Sequence, residues 1–326
     1  MAQKVLFIGG TGVISSACSA LAVERGFDLY LFTRGDSLRP APEGANLIHG
    51  DINKPGDIEK VLDQHRFDTV VNWIVFEPKE IKRDIHTFGG KIRQYIFISS
   101  ASAYQKPIHK LPITEDTPLE NPFWAYSRAK KACEELLFQA YEREKFPATV
   151  VRPSHTYDKT LLPFPGGFTT LDRIIKEKPV IIHGDGTSLW VLTHHRDFAT
   201  GFVGLLGHQQ AIGQAVQITS DDLLTWNGIY QMIADAAGAE LHPVHIPSEI
   251  IARADPEWGA GLLGDKAHSV IFDNSKIKSL VPVFKAVIPY SEGCKETVKW
   301  YLDHPEQQIV NQGLSNKMDQ LISRYQ

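Results

Sequence analysis

Continuous apolar runs alternate with amphipathic stretches through the first half of the chain. Val5-Leu6-Phe7-Ile8 is apolar throughout, and Thr69-Val70-Val71-Asn72-Trp73-Ile74-Val75 nearly so, where a half-exposed strand would alternate. Such runs suit strands of a parallel sheet covered on both faces. The pattern predicts strands near 4–8, 28–33, 46–49, 69–75, 94–99 and 148–152, with helices near 12–26, 55–65, 77–88 and 125–145. Strand–helix alternation with right-handed crossovers gives an α/β, doubly wound parallel sheet.

After about residue 155 the rhythm changes. Residues 162–168 read as a loop and 170–178 as a short helix, with later helices near 197–207, 225–238 and 292–303. Gly259 to Gly264 reads as a flexible loop able to cover a site, and the tail after Pro305 as a polar surface helix. The expected division is a sheet domain over 1–155. A smaller lobe over 156–326 closes on the sheet's carboxyl edge and partly returns to it, at the edge where open α/β sheets bind ligands.

Charge narrows the choice of partners. Thirty-four basic against 38 acidic residues give a net charge of −4, which leaves no electrostatic footprint for nucleic acid or for a membrane surface. Cys18, Cys133 and Cys294 lie far apart without a CxxC pair, so neither a disulfide framework nor a zinc site is expected, and a reducing cytoplasm fits. No signal-peptide pattern and no apolar run of membrane-spanning length is evident, so the mature fold is expected to start at the first strand.

The apolar run at 4–8 leads into Gly9-Gly10-Thr11-Gly12-Val13-Ile14-Ser15. Gly9, Gly12 and Ser15 occupy the three positions of a GxxGxxG loop. The first glycine permits the tight turn, and the second lets backbone N–H groups of the following helix approach a pyrophosphate. This is the Rossmann-type arrangement for a dinucleotide, with Thr11, Val13 and Ile14 beside the glycines. The second strand ends Thr33-Arg34 without the acid that usually takes the ribose hydroxyls. Arg34 either pairs with a 2′-phosphate, favouring NADP over NAD, or is a solvated arginine at a strand end. Asp51-Ile52, past the third strand, is placed to accept from an adenine amino group, or is an ordinary turn.

Tyr126 and Lys130 are i and i+4, hence on one helical face. A free phenol titrates near 10, and a neighbouring ammonium together with an oxidised nicotinamide is expected to favour its ionised form, making Tyr126 a base for a hydroxyl proton. Ser99-Ser100-Ala101-Ser102-Ala103-Tyr104 follows the strand at 94–99 and offers a hydroxyl to the same substrate oxygen. His194-His195 is a poor metal pair, since neighbours on a strand point to opposite faces, and no metal is expected. Trp73, Trp190, Trp226 and Trp258 either line a sugar-stacking pocket or pack in the core.

These segments resemble the extended short-chain dehydrogenase/reductases of the NAD-dependent epimerase/dehydratase type. The likeness takes in Gly9–Gly12, Asp51-Ile52, Ser99–Tyr104, Tyr126–Lys130, Arg152–Tyr157 and Gly184-Asp185-Gly186 leading to Asp197-Phe198-Ala199. It implies Ser100 as the catalytic hydroxyl, Tyr126 as the base and Lys130 as its partner. Trp73, Ile74, Ser99, Pro153 and His155 are the further expected cofactor positions. Ser102, His155, Trp190 and His195 are the substrate candidates.

The departures bear on substrate. Where sugar dehydratases of this family carry an Asp-Glu pair, this chain has Ala101 and Ser102, which disfavours water elimination. Thr187-Ser188-Leu189-Trp190 lacks the arginine that usually clamps a diphosphate after Gly-Asp-Gly; Arg128, Arg173 or His195 are the possible substitutes. Asn72 to Ser100 is room for one crossover helix only, so the family's usual dimer interface is doubtful and monomer and homodimer both stay open.

The resemblance implies an NAD(P)-dependent epimerase or oxidoreductase acting on a secondary hydroxyl of a sugar or nucleotide-sugar-like small molecule. The alternatives are an NADP-dependent reductase of a small carbonyl compound and a non-catalytic nucleotide-sensing or RNA-binding member of the fold.

Overall fold

The structure, a computed structural model, describes residues 2–325. Six strands of the N-terminal half are β1 (Lys4–Ile8), β2 (Asp28–Thr33), β3 (Asn46–His49), β4 (Thr69–Asn72), β5 (Gln94–Ile98) and β6 (Ala148–Pro153). With Ala215–Ile218 they form one seven-stranded parallel sheet, ordered (215–218)-β6-β5-β4-β1-β2-β3. The order reverses direction between β1 and β4, the switch point at whose carboxyl ends such sheets bind ligands.

The helices are α1 (Val13–Glu24), α2 (Asp57–Gln64), α3 (Pro78–Phe88) and α4 (Ala125–Glu144). Side chains of a strand alternate between faces, and here both faces are covered. Val5 and Phe7 pack with Cys18 and Ala22 of α1 and with Phe198 and Phe202 of a later helix. Leu6 and Ile8 face the other way, toward Ile58 of α2, Ile81 of α3 and Leu137 of α4. All four of these β1 side chains are fully buried, which is why their sequence does not alternate.

The predicted fourth strand over 69–75 is shorter than expected. Asn72 ends it, because its side-chain oxygen accepts from the Ile74 amide at 3.1 Å and turns the chain. Only α3 lies between β4 and β5, as the short spacing required.

Beyond β6 the chain both returns to the sheet and leaves it. Helix α5 (Phe168–Ile175) precedes α6 (His195–Gly204), which carries Phe198 and Phe202 onto the α1 side. Helix α7 (Trp226–Ala237) and the helix Tyr290–Asp303 pack with α5 around a separate core containing Trp190, Trp226, Tyr230 and Tyr290.

Two expectations fail here. Residues 259–264 are not a flexible loop: a helix over Pro256–Gly261 runs directly into a π-turn, Leu262–Lys266. Gly264 belongs there because a side chain would meet Trp124 Cβ at 2.8 Å. The tail helix Gln312–Ile322 is not merely on the surface, since Met318, Leu321 and Ile322 are buried against Ile181 and Ile251. No helix among the described residues is long and apolar enough to cross a membrane.

Candidate active site

Among the described residues, one continuous cavity of about 1020 Å³ runs along the carboxyl ends of the sheet from the glycine turn to the C-terminal core. At one end, the β1–α1 turn forms its floor. Gly9 and Gly10 have φ of +95° and +108°, and a Cβ on Gly10 would stand 2.7 Å from Leu31 Cδ2, so the turn needs glycine. Thr11, Gly12, Val13 and Ile14 line the cavity where α1 begins. Ser15, in the third glycine position, accepts a hydrogen bond from the Gly12 amide at 2.8 Å and so caps the helix. A backbone cradle that a Cβ would block, open at a helix N-terminus, fits the pyrophosphate of a nicotinamide dinucleotide.

Thr33, Arg34, Asp51 and Ile52 line the same end. Arg34 is exposed and lies 3.5 Å from Asp36, an ion pair of little worth in water. Asp51 caps a turn by accepting from the Asn53 amide at 2.9 Å. Sequence reasoning missed the β2–β3 loop as a strap. Ser37 donates to the Thr11 carbonyl, while Arg39 reaches across to Asp158 and Thr160. Nothing local in the sequence marks those long-range pairs.

At mid-cavity three predicted side chains meet. Ser100 leaves β5 with its hydroxyl donating to Ser102 Oγ at 2.9 Å, and Ser127 donates to that same oxygen at 2.9 Å. Lys130, on α4, donates to the carbonyls of Val75 at 2.6 Å and Ile98 at 2.8 Å, and its Nζ stands 5.5 Å from the Tyr126 ring centre. Burial lowers this ammonium to about 8.

The expected depression of the phenol by Lys130 is not found. Burial pushes Tyr126 up to about 12, Asp265 adds to the rise, and the opposing pull comes from the Ser100 hydroxyl. The ammonium is turned toward the two carbonyls, so in the chain alone Tyr126 keeps its proton and is a donor.

A buried network holds this centre. Glu134, one turn after Lys130, takes Arg152 of β6 in a two-pronged ion pair (Nη2–Oε2 2.6 Å, Nε–Oε1 3.1 Å) and also the Ser99 hydroxyl. Arg152 in turn donates to Tyr104 and to the Glu115 carbonyl. Strand β5, helix α4 and strand β6 are thereby fixed around Ser100.

Trp73, Ile74, Ser99, Pro153 and His155 line the cavity, as do Ser102 and Trp190. His155 is pushed down to about 3 by burial, with Lys266 adding to the fall, and is neutral at ordinary pH. His195 does not line the cavity: its Nδ1 lies 3.2 Å from the Val13 carbonyl, behind the glycine turn at the start of α6. Neither of the other expected clamps reaches the site. Arg128 donates to the Pro122 carbonyl, and Arg173 is bound to Pro179, Ser315 and Asp319 on the far side of α5. Trp226 is core, but its Nε1 donates to the Lys266 carbonyl at 3.1 Å, tying the core to the cavity wall.

The wall that sequence reasoning missed is Trp124 together with Asp265 and Lys266 of the π-turn. The only sequence signal was the glycine-rich stretch, which suggested a loop. Asn121 joins this wall to the loop after β5, its one amide nitrogen donating to the carbonyls of Ser102 (2.7 Å) and Gly264 (2.6 Å).

The model of the NAD dependent epimerase/dehydratase family matches residues 5–88 and 85–219. A chloroplast stem-loop binding protein of 41 kDa from Arabidopsis thaliana is 26% identical over 72% of this chain, which spans 64% of that protein's length, just under two thirds. The 2'-dehydrokanamycin reductase of Streptomyces kanamyceticus is 24% identical over 86% of the chain and 80% of its own length. The UDP-glucuronic acid 4-epimerase of Bacillus cereus, solved in complex with NAD, superposes with a TM-score of 0.72 at 18% identity, covering 92% of this chain and 99% of that one. At that identity the likeness speaks to the fold.

Proposed function

The chain belongs to the NAD-dependent epimerase/dehydratase family, and from there we propose that it is an NAD(P)-dependent oxidoreductase or epimerase acting on a secondary hydroxyl of a sugar-like small molecule. The observation that carries this reading is the meeting of Ser100, Tyr126 and Lys130 midway along a cavity whose one end is a glycine cradle. The bound dinucleotide would supply a hydride acceptor or donor; Gly9, Thr11, Gly12, Val13 and Ile14 would hold its pyrophosphate. Tyr126 moves the proton of the reacting oxygen, Ser100 donates a hydrogen bond to that oxygen, and Lys130 orders the Val75 and Ile98 carbonyls around them. Ala101 and Ser102 offer no acid for elimination, so dehydration is left out.

Within this reading Tyr126, held up at about 12 by burial, gives its proton to a carbonyl oxygen in reduction and takes one from the hydroxyl in oxidation, so one group serves both directions. Arg34 supports NADP: its pairing with Asp36 is solvent-exposed and readily exchanged for a 2′-phosphate. The division near residue 155 into cofactor and substrate parts, and a reducing cytoplasmic setting for three buried free thiols, belong to the same proposal.

The test is turnover of nicotinamide cofactor with a panel of sugars and keto-sugars. Tyr126→Phe should lower kcat by roughly 10²- to 10⁴-fold, the usual worth of a positioned acid or base, with cofactor binding retained. Isomer conversion without net cofactor turnover would select the epimerase. Unchanged turnover in Tyr126→Phe would remove the enzymatic account and favour a binding protein.

A further inference from the structure

Resting on the oxidoreductase reading, we infer that the substrate is a compact hydroxylated ring carrying no nucleotide diphosphate, recognised by Asp265 and Lys266 on the π-turn. The cations of the cavity carry the first half of this. Arg34 and Arg39 stand at the adenosine end, and Lys130 is committed to two backbone carbonyls. Among the described residues that line the cavity, Lys266 is the one lysine or arginine left at the substrate end, and Asp265 lies beside it in the same wall.

A diphosphate carries about two negative charges and is held by several charged or backbone donors. Here it would meet a single ammonium next to a carboxylate. His155 is neutral, and Lys106 is buried behind the wall without lining the cavity. At the position after Gly-Asp-Gly, Thr187 turns back to Asp185.

The second half is what the wall offers. Among the described residues, neither the Asp265 carboxylate nor the Lys266 ammonium has a hydrogen-bond or ion-pair partner, and they do not pair with each other. Burial raises the proton affinity of Asp265 against the opposing pull of Lys106, Lys266 and His268. One acceptor and one donor match ring hydroxyls, which both give and take hydrogen bonds. The Lys266 Nζ lies 5.8 Å from the Trp190 ring centre and 6.0 Å from that of Trp124, so indoles flank the same place.

The wall is rigid. The Lys266 carbonyl is met by Trp226 Nε1 (3.1 Å), Ser188 Oγ (3.2 Å) and His183 Nε2 (3.1 Å), and the Ala267 amide closes the π-turn onto the Leu262 carbonyl at 2.9 Å. π-Turns recur at functional sites. The volume agrees, since about 1020 Å³ is near the upper limit for one drug-sized ligand and here serves both cofactor and substrate.

The experiment uses the full chain saturated with NADP or NAD and follows tryptophan fluorescence on adding UDP, UDP-glucose, methyl glucosides, glucosamine or 2-deoxystreptamine. The unphosphorylated rings should give saturable quenching and UDP none. Asp265→Asn and Lys266→Met should each weaken ring binding about tenfold or more, with cofactor affinity and Tm as in the wild type. Saturable UDP binding, silence of every ring, or variants that bind rings like the wild type would each overturn the inference. Failure of the wild-type chain to bind either dinucleotide would instead strike at the oxidoreductase reading itself.

Discussion

Replacing Arg152 by methionine should be among the most damaging single changes outside Ser100, Tyr126 and Lys130. The guanidinium is 4% exposed and Glu134 1%, and Arg152 meets both carboxylate oxygens at 2.6–3.2 Å. Methionine refills most of the stem volume, so the main loss is the charge. Glu134 would be left ionised in a dry interior with only the Ser99 hydroxyl, which costs about 3–5 kcal/mol for a broken buried pair. Adding Glu134→Gln to Arg152→Met removes the stranded charge, and the double variant should recover at least about 1 kcal/mol of that loss. Urea denaturation followed by circular dichroism, on the wild type, both single variants and the double, measures each term. If Arg152→Met unfolds within about 1 kcal/mol of the wild type, or the double costs the sum of the singles, the ion pair is not what fixes β5, α4 and β6 around Ser100.

Gly10→Ala forces a Cβ to 2.7 Å from Leu31 at a φ of +108° and should cost about 2–4 kcal/mol from backbone strain and overpacking; an unchanged Tm would show that the turn relaxes freely. Lys130 has its pKa lowered from 10.5 to about 8, so the unfolded chain binds the extra proton between those values and stability rises with pH across that window. Relative to Lys130→Met, the wild type should therefore gain about 2–3 kcal/mol from pH 7.5 to 10, and a constant gap in urea midpoints would refute it. Arg34→Ala should weaken NADP about tenfold, the worth of one charge-assisted contact, and leave NAD unchanged, as read by isothermal titration; equal losses for both would assign Arg34 to the loop instead of the phosphate.

The sheet was legible because its strands are buried on both faces, and an uninterrupted apolar run has few other homes. The cradle and the Tyr126–Lys130 pair were legible because both are local: a glycine turn after a strand, and one helical turn. The cavity wall of Trp124, Asp265 and Lys266 was not. Asp265 and Lys266 sit in a glycine-rich stretch whose order comes from Trp226, Asn121 and His183, all distant in sequence. His195 misled for the same reason in reverse: its neighbours in sequence suggested a site, while α6 turns it behind the glycine loop. The fourth strand was overextended because Val75 is apolar, and only the side chain of Asn72 reveals the turn.

The serine in the third glycine position has a consequence for the turn itself. Its oxygen already accepts from the Gly12 amide at the head of α1, so that donor is spent within the chain. The first turn of the helix is thereby latched to its own loop by a hydroxyl that glycine could not supply, and a Ser15→Gly change would release that latch at the point where strand gives way to helix.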